Sequence, residues 1–329
     1  MKALDVGVIG CGEIAETGHL PAYMRIPGVK VQAIADIDEH RLHRVSRRFS
    51  IDRCYLRYEE LLQNESGIDA VSICLPTFLH KDAVIASLEA GKHVLCEKPL
   101  ALNAEEGTQM IRSAKRHGLR LHVGFCLRFS KALRRLRRWV RSGSFGDPLE
   151  VKTTNVFWRK EDRKRWYFDR SKGGGALFDM GPHSVDTLRW MFGQANVRSA
   201  AFKDCETIPG LDIESSADLL FTNGLEGQLH VSWKNLPSKH HIEVRCVEGT
   251  LCADLLKSTL RVQSPRKILG RSENGVEILV EQTLPYLHDE IWHFASSILN
   301  DQDENSLATG NDGLRALRTI TSAYEFRHI

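Results

Sequence analysis

The sequence predicts an α/β protein: a doubly wound parallel sheet, followed by a region built on an antiparallel sheet with one exposed face. Two observations carry this. Up to residue 125, short apolar runs rich in β-branched residues alternate with stretches of helical periodicity. After Gly146 the runs lengthen and alternate polar with apolar residues. Strands without alternation, separated by helices, belong to a sheet covered on both faces, whereas alternation marks a sheet with one face in water.

The first group of strands is VGVIG (6–10), VKVQAIAD (29–36), AVSICLP (70–76), HVLCEKP (93–99) and LRLHVGF (119–125). Between them, KDAVIASLEAG and AEEGTQMIRSAKRHG read as helices that close on glycine, where a helix carboxyl end favours one. The second group is LEVKTTNVFW, SADLLFTN, LEGQLHVSW, HIEVRCVEG and VEILVEQ. The change of rhythm puts a domain boundary near residue 124, giving 1–124 and 125–329. The helical pattern GLRALRTITSAYEF can pack on either domain.

A chain of 329 residues with 42% hydrophobic and 26% charged residues buries sizeable cores without staples. Its 45 basic and 42 acidic residues favour neither nucleic acid nor a membrane surface. The eight cysteines form no CxxC pair and no zinc spacing, so they read as reduced core residues, and no metal is expected. No apolar run reaches the roughly 18 residues of a membrane span, and no signal peptide precedes the first strand, so a cytoplasmic location is expected. The run Arg134, Arg135, Arg137, Arg138 and Arg141 reads as the solvated face of an amphipathic helix.

The first strand runs straight into Gly10-Cys-Gly12-Glu13-Ile14-Ala15, a GxGxxA turn, and Asp36 ends the second strand. Glycines there allow a tight turn and bring backbone N–H groups to a pyrophosphate, and the acid can hydrogen-bond the adenosine ribose. NAD is therefore the expected cofactor, since Asp36 repels a 2′-phosphate, although Arg41 nearby can accommodate one. Ligands of such sheets bind beyond the carboxyl ends of the strands, which directs Pro76, Thr77 and His80 to the same crevice. Thr77 also suits a helix N-cap. HVLCEKP must end its strand at Glu97-Lys98-Pro99, because proline has no N–H for a central ladder. In GGGALFDMGPHSVD, Asp179 and His183 are one helical turn apart, a carboxylate beside an imidazole as a general base requires. Pro182 suggests that the helix starts there, with Asp179 just outside it.

The order of GxGxxA, Asp36, CLPTFLH, HVLCEKP and GGGALFDMGPHSVD resembles the Gfo/Idh/MocA family of oxidoreductases. GFCLRF, SGSFGDPLEV and TGNDGLRALRTITSAY resemble its later landmarks, so the likeness covers almost the whole chain. It implies a Rossmann domain, then an α/β domain whose large, open, mostly antiparallel sheet forms a dimer or tetramer interface. It also implies that Lys98, Asp179 and His183 flank a sugar or cyclitol lying over the nicotinamide. His183 then takes the hydroxyl proton, Lys98 stabilises the oxygen, and Asp179 orients His183 and binds a neighbouring hydroxyl. Glu13, Ile14, Glu97 and Lys98 join the cofactor set, with Glu97 holding Lys98 or touching the cofactor.

The segment NVFWRKEDRKRWYFDR is implied to face the substrate, with Trp158, Arg159 and Trp166, and with Arg128 of GFCLRF alongside. Its aromatics suit a sugar face and its arginines suit phosphate, which raises a nucleotide sugar or glycoside as substrate. Two other functions fit the same architecture: an NAD-dependent glycosidase acting through transient ring oxidation, and a non-catalytic NAD-binding sensor.

Overall fold

A computed structural model describes residues 3–234, 237–263, 276–279, 285–302 and 306–328. In chain order, β1 (Leu4–Ile9) leads through a π-helical turn (Ala15–His19) into α1 (Leu20–Tyr23). Then come β2 (Val29–Ala35), α2 (Glu39–Phe49), β3 (Arg53–Tyr55), α3 (Tyr58–Asn64), β4 (Ala70–Ile73), α4 (His80–Glu89), β5 (His93–Cys96), α5 (Ala104–His117) and β6 (Leu121–Val123). They are followed by α6 (Lys131–Arg141), β7 (Pro148–Val156), α7 (Ala176–Phe192), β8 (Ala195–Cys205), β9 (Ile208–Phe221) and β10 (Glu226–Ser232). The remainder is β11 (Lys239–Cys246), β12 (Gly249–Asp254), β13 (Thr259–Gln263), β14 (Val276–Leu279), α8 (Tyr286–Leu299), β15 (Ala308–Thr309) and α9 (Gly310–Glu325). Of the strand expected at VEILVEQ, positions 280–282 lie outside the described residues.

The chain divides into two compact units, Met1–Cys126 with Leu284–Leu317, and Leu127–Thr283 with Arg318–Ile329. Where the sequence reading drew two continuous stretches, segment 284–317 groups with the first unit, and the division falls inside α9.

The first unit is a seven-stranded sheet in the order β15-β6-β5-β4-β1-β2-β3. Every pairing is parallel except β15 with β6. The chain runs outward from β1 through β2 and β3, then restarts at β4 on the other side, so the switch point lies between β1 and β4. Val6, Val8, Ile34, Val71, Ile73, Val94 and Leu95 are fully buried, as continuous apolar strands require when both faces are covered. Helix ends follow the sequence: Asp38 caps α2 and Asn103 caps α5, which ends on left-handed Gly118. β3 has three residues and no apolar run, so periodicity does not reveal it.

The second unit is an eight-stranded sheet in the order β14-β13-β12-β11-β7-β10-β9-β8. It is antiparallel except for β7 beside β10. α7 packs on β7, β9 and β10, and α6 packs on β12 and β13. The arginines of α6 do more than solvate one face. Arg134 lies over the Phe129 ring at 4.7 Å and Arg137 over the Trp190 ring at 4.2 Å, where each planar cation gains from the π-face.

All eight cysteines are free thiols. Among the described residues no helix is long and apolar enough to cross a membrane, and no cluster of His, Cys, Asp or Glu could hold a metal ion.

Candidate functional site

In the first unit the carboxyl ends of β1, β2, β4 and β5 carry the expected residues. Gly10 has φ +94°, and a Cβ there would lie 2.6 Å from the Cys74 carbonyl oxygen, so only glycine lets β1 end against β4. Gly12 is different: a Cβ there would meet nothing within 4 Å. Glu13 and Ile14 are exposed on the turn that follows. Asp36 is buried, and its Oδ2 accepts the Cys11 N–H at 2.8 Å while its Oδ1 accepts the Asp38 N–H at 2.8 Å. Arg41 bridges Asp36 at 3.1 Å and Asp38 at 3.0 Å. The acid therefore builds the glycine turn, a role that its spacing does not reveal.

Pro76 and Thr77 follow β4, with Pro76 half-buried. Thr77 is not an N-cap: it is the first residue of a 3₁₀ turn (Thr77–Leu79) that Pro76 caps, and Leu79 caps α4. Its Oγ1 is buried without a hydrogen-bond partner. Such a group costs stability unless something meets it. The open cradle at Gly12 and the orphan hydroxyl of Thr77 both fit a bound dinucleotide.

His80 is fully buried, with both ring nitrogens at backbone carbonyls. Its Nδ1 lies 2.9 Å from the Pro99 carbonyl oxygen and its Nε2 lies 2.8 Å from that of Leu75. Burial holds its pKa below the usual histidine value despite these carbonyls. Glu97 is likewise turned inward. Its Oε1 lies 2.9 Å from His19 Nε2 and its Oε2 accepts the backbone N–H of Lys98 at 3.2 Å. Burial raises the pKa of this carboxyl, but the hydrogen bond and charge of His19 and the charge of Lys98 outweigh it, leaving the pKa low. Lys98 itself is half-buried at the end of β5, joined to Pro99 by a cis peptide bond.

In the second unit α7 runs from Ala176 to Phe192 with Pro182 inside it, so Asp179 and His183 share one helix. The expected start at Pro182 is wrong because the end is capped from elsewhere: Asp212 of β9 accepts the Leu177 N–H at 2.8 Å. Asp212 also accepts from Ser215 at 2.9 Å and Tyr324 at 2.8 Å. A Cβ at Gly175 would lie 2.4 Å from the same carboxylate, which explains the last glycine of the triplet. Asp179 is buried in the first turn, and His183 is half-buried one turn later.

Arg159, expected to bind substrate, holds Asp179. Its Nε and Nη2 donate to Asp179 Oδ2 at 3.1 and 2.8 Å, and its guanidinium lies over the Tyr167 ring at 4.5 Å. Arg128, also expected to bind substrate, is buried and forked onto buried Asp186 at 2.8 and 2.6 Å. Trp166 packs edge-on against Tyr167 at 5.8 Å. Trp158 and Phe157 remain exposed and line an open groove of about 440 Å³ with Lys160, Glu161, Asp162 and Arg165. The loop's other arginines have local partners, Arg163 with Glu161 and Thr207, and Arg165 with Asp162.

Sequence reasoning missed His19, Ser72, Tyr23, Asp186 and Asp212. The one signal for the first group was Ser72, a polar residue inside the apolar run AVSIC.

Residues 4–125 match the oxidoreductase family with an NAD-binding Rossmann fold, Gfo/Idh/MocA, and residues 133–252 match the C-terminal domain of that family. The oxidoreductase ORF334 of Rhizobium meliloti is 36% identical over 245 residues, covering 74% of this chain and 72% of that one. The myo-inositol 2-dehydrogenase of Thermotoga maritima is 28% identical, covering 95% and 93%. A levoglucosan dehydrogenase solved with NADH and levoglucosan superposes with a TM-score of 0.89 at 22% identity, covering 99% and 98%. This chain is a member of the Gfo/Idh/MocA oxidoreductase family, with an NAD-binding Rossmann domain at its amino-terminal end.

Proposed function

We propose that this oxidoreductase interconverts a secondary hydroxyl and a ketone on a sugar or cyclitol, using NAD. The observation that carries the reading is the first turn of α7, where buried Asp179, fixed by Arg159, stands one turn before His183. In the oxidising direction the proton of the substrate hydroxyl passes to His183. Lys98 donates a hydrogen bond to the oxygen as it gains negative charge, a contact worth most where water is excluded. Asp179 binds a neighbouring hydroxyl and sets the orientation of the imidazole. A dinucleotide held by the β1 turn would supply the hydride acceptor for that same carbon.

Gly10, Gly12, Asp36, Pro76 and Thr77 are assigned to the dinucleotide, and Trp158 with Phe157 to the apolar face of a sugar ring. A nucleotide sugar stays within the same reading, because Arg163 and Arg165 near the groove are exposed and hold only surface pairs with Glu161 and Asp162. The second unit is assigned substrate binding and self-association through its open sheet, and the protein to the cytoplasm.

The test mixes protein, NAD and a panel of free sugars, cyclitols and nucleotide sugars while NADH absorbance is followed. Net NADH with a free sugar or cyclitol supports the proposal. Aglycone release from glycosides without net NADH would mark a glycosidase, and NAD binding without either would mark a sensor. Light scattering after size exclusion reads the self-association.

A further inference from the structure

Four polar side chains of the first unit form one buried line that the reaction above does not use. Tyr23 Oη lies 2.8 Å from Ser72 Oγ, Ser72 Oγ lies 3.1 Å from His19 Nδ1, and His19 Nε2 lies 2.9 Å from Glu97 Oε1. Tyr23, Ser72 and His19 have no exposure, and Glu97 has 8%. Each link can carry a proton: the Tyr23 and Ser72 hydroxyls can each donate or accept, and His19 donates to the Glu97 carboxylate. The other carboxylate oxygen receives the N–H of Lys98 at 3.2 Å. The line therefore ends on the backbone of Lys98.

Through His19 the line reaches the helical turn that follows the dinucleotide turn directly. His19 is the last residue of the π-helical turn, where Leu20 N–H reaches back to the Ala15 carbonyl, five residues earlier. Pro21 follows, and having no N–H it suits a place where the ladder is already widened. The extra residue in the turn directs His19 inward to β4 and β5. Beyond Lys98, His80 holds the Pro99 carbonyl. Gly124 closes the space around the Glu97 carboxyl, where a Cβ would come within 3.2 Å of its carbon and both oxygens. Burying a carboxylate is costly, and an apolar filling of the same volume is often as stable or more so. Packing alone does not account for four polar groups in line.

We infer that His19 and Glu97, backed by Ser72 and Tyr23, are positioning residues that couple the dinucleotide turn to the backbone of Lys98. The inference rests on the catalytic role proposed for Lys98. It is tested with Glu97→Gln, Ser72→Ala and His19→Leu, each checked by its melting curve and by NADH-binding stoichiometry. Two quantities are read. One is the rate at which trace acetic anhydride labels Lys98, relative to exposed Lys115, followed by peptide mass spectrometry. The other is turnover per NADH-binding site, with the deuterium isotope effect on hydride transfer.

In Glu97→Gln and His19→Leu the Lys98 labelling ratio should change by about threefold or more. Turnover per site should fall by about 10-fold to 100-fold, with a larger isotope effect, because the lysine is misplaced rather than absent. Ser72→Ala should move both in the same direction by less. A general loss of stability would not change a per-site rate or one lysine's relative reactivity. If His19→Leu does not fold, the other two variants decide. Unchanged labelling and per-site turnover in folded variants overturn the inference. If the wild type turns over no sugar or cyclitol, the proposed reaction fails and the labelling ratio alone decides the coupling.

Discussion

The two glycines of the first turn allow fold and cofactor binding to be perturbed separately. Gly10→Ala puts a methyl 2.6 Å from the Cys74 carbonyl oxygen, against an ordinary contact of 3.4 to 4 Å, and forces φ +94° on a residue with a side chain. Left-handed strain costs about 1 to 3 kcal/mol, and overpacking between β1 and β4 about as much again. The sum, about 2 to 6 kcal/mol, should lower the melting temperature by roughly 10 °C for a unit of this size. Gly12→Ala should behave in the opposite way. Its added methyl meets nothing within 4 Å, so apo stability should hold or rise by about 0.5 kcal/mol through a less flexible unfolded chain. That same methyl fills the cradle where a pyrophosphate meets backbone N–H groups, and NADH affinity should fall about 10-fold to 100-fold, the worth of one or two charge-assisted hydrogen bonds. Thermal melts with fluorescence titration of NADH read both quantities. A Gly12→Ala protein that binds NADH as the wild type does would show that the turn is not the pyrophosphate site.

Other expected outcomes follow from single contacts. Thr77→Val removes a buried hydroxyl that has no partner, so apo stability should hold or rise by about 1 kcal/mol while NADH affinity falls, both read by the same pair of assays. Asp212→Ala leaves the Leu177 N–H, Ser215 and Tyr324 without their acceptor and should cost about 3 kcal/mol, with Asp212→Asn costing less. Unequal melting temperatures in that order check the cap. Burial depresses two histidine pKa values, that of His80 in direction and that of His240 to about 4. A depressed histidine is neutral when folded and protonates on unfolding, so its contribution is full above the ordinary value of 6.5 and is lost as pH falls toward the folded value. Melts from pH 7.5 to pH 5 should show falling stability, by up to about 2 kcal/mol for His240 by pH 5, and His240→Phe should flatten the curve.

Local chemistry was legible; long-range partnership was not. The GxGxxA turn, the acid at the end of β2, the halt at Glu97-Lys98-Pro99 and the Asp179–His183 spacing are each written within a few neighbouring residues. Alternation separated the two kinds of sheet for the same reason, since the period of side-chain direction is a local property. By contrast, His19 and Glu97 are 78 positions apart, and Arg128 and Asp186 are 58 apart. Nothing in either neighbourhood specifies its partner. Pro182 misled because the rule that prolines start helices assumes a local cap, whereas here Asp212 satisfies the α7 amino end from a strand 35 residues away. At Arg128, Arg159 and His80 residue type points to a ligand, and what the sequence does not reveal is that each is also engaged by groups of the protein.

Cofactor choice shows how closely fold and function share residues here. The usual argument for NAD is that an acid at the end of the second strand meets a ribose and repels a 2′-phosphate. Asp36 has a second task, because the Cys11 N–H inside the glycine turn and the Asp38 N–H that opens α2 both depend on its two oxygens. Removing the acid to admit a phosphate would leave two backbone donors unmet and loosen the pyrophosphate cradle itself. Arg41, the obvious phosphate ligand, already bridges Asp36 and Asp38, and recruiting it would expose two neighbouring carboxylates to the phosphate. The proposed preference for NAD therefore does not hang on one repulsion at the ribose. It follows from an acid that the turn needs and an arginine that the acid needs.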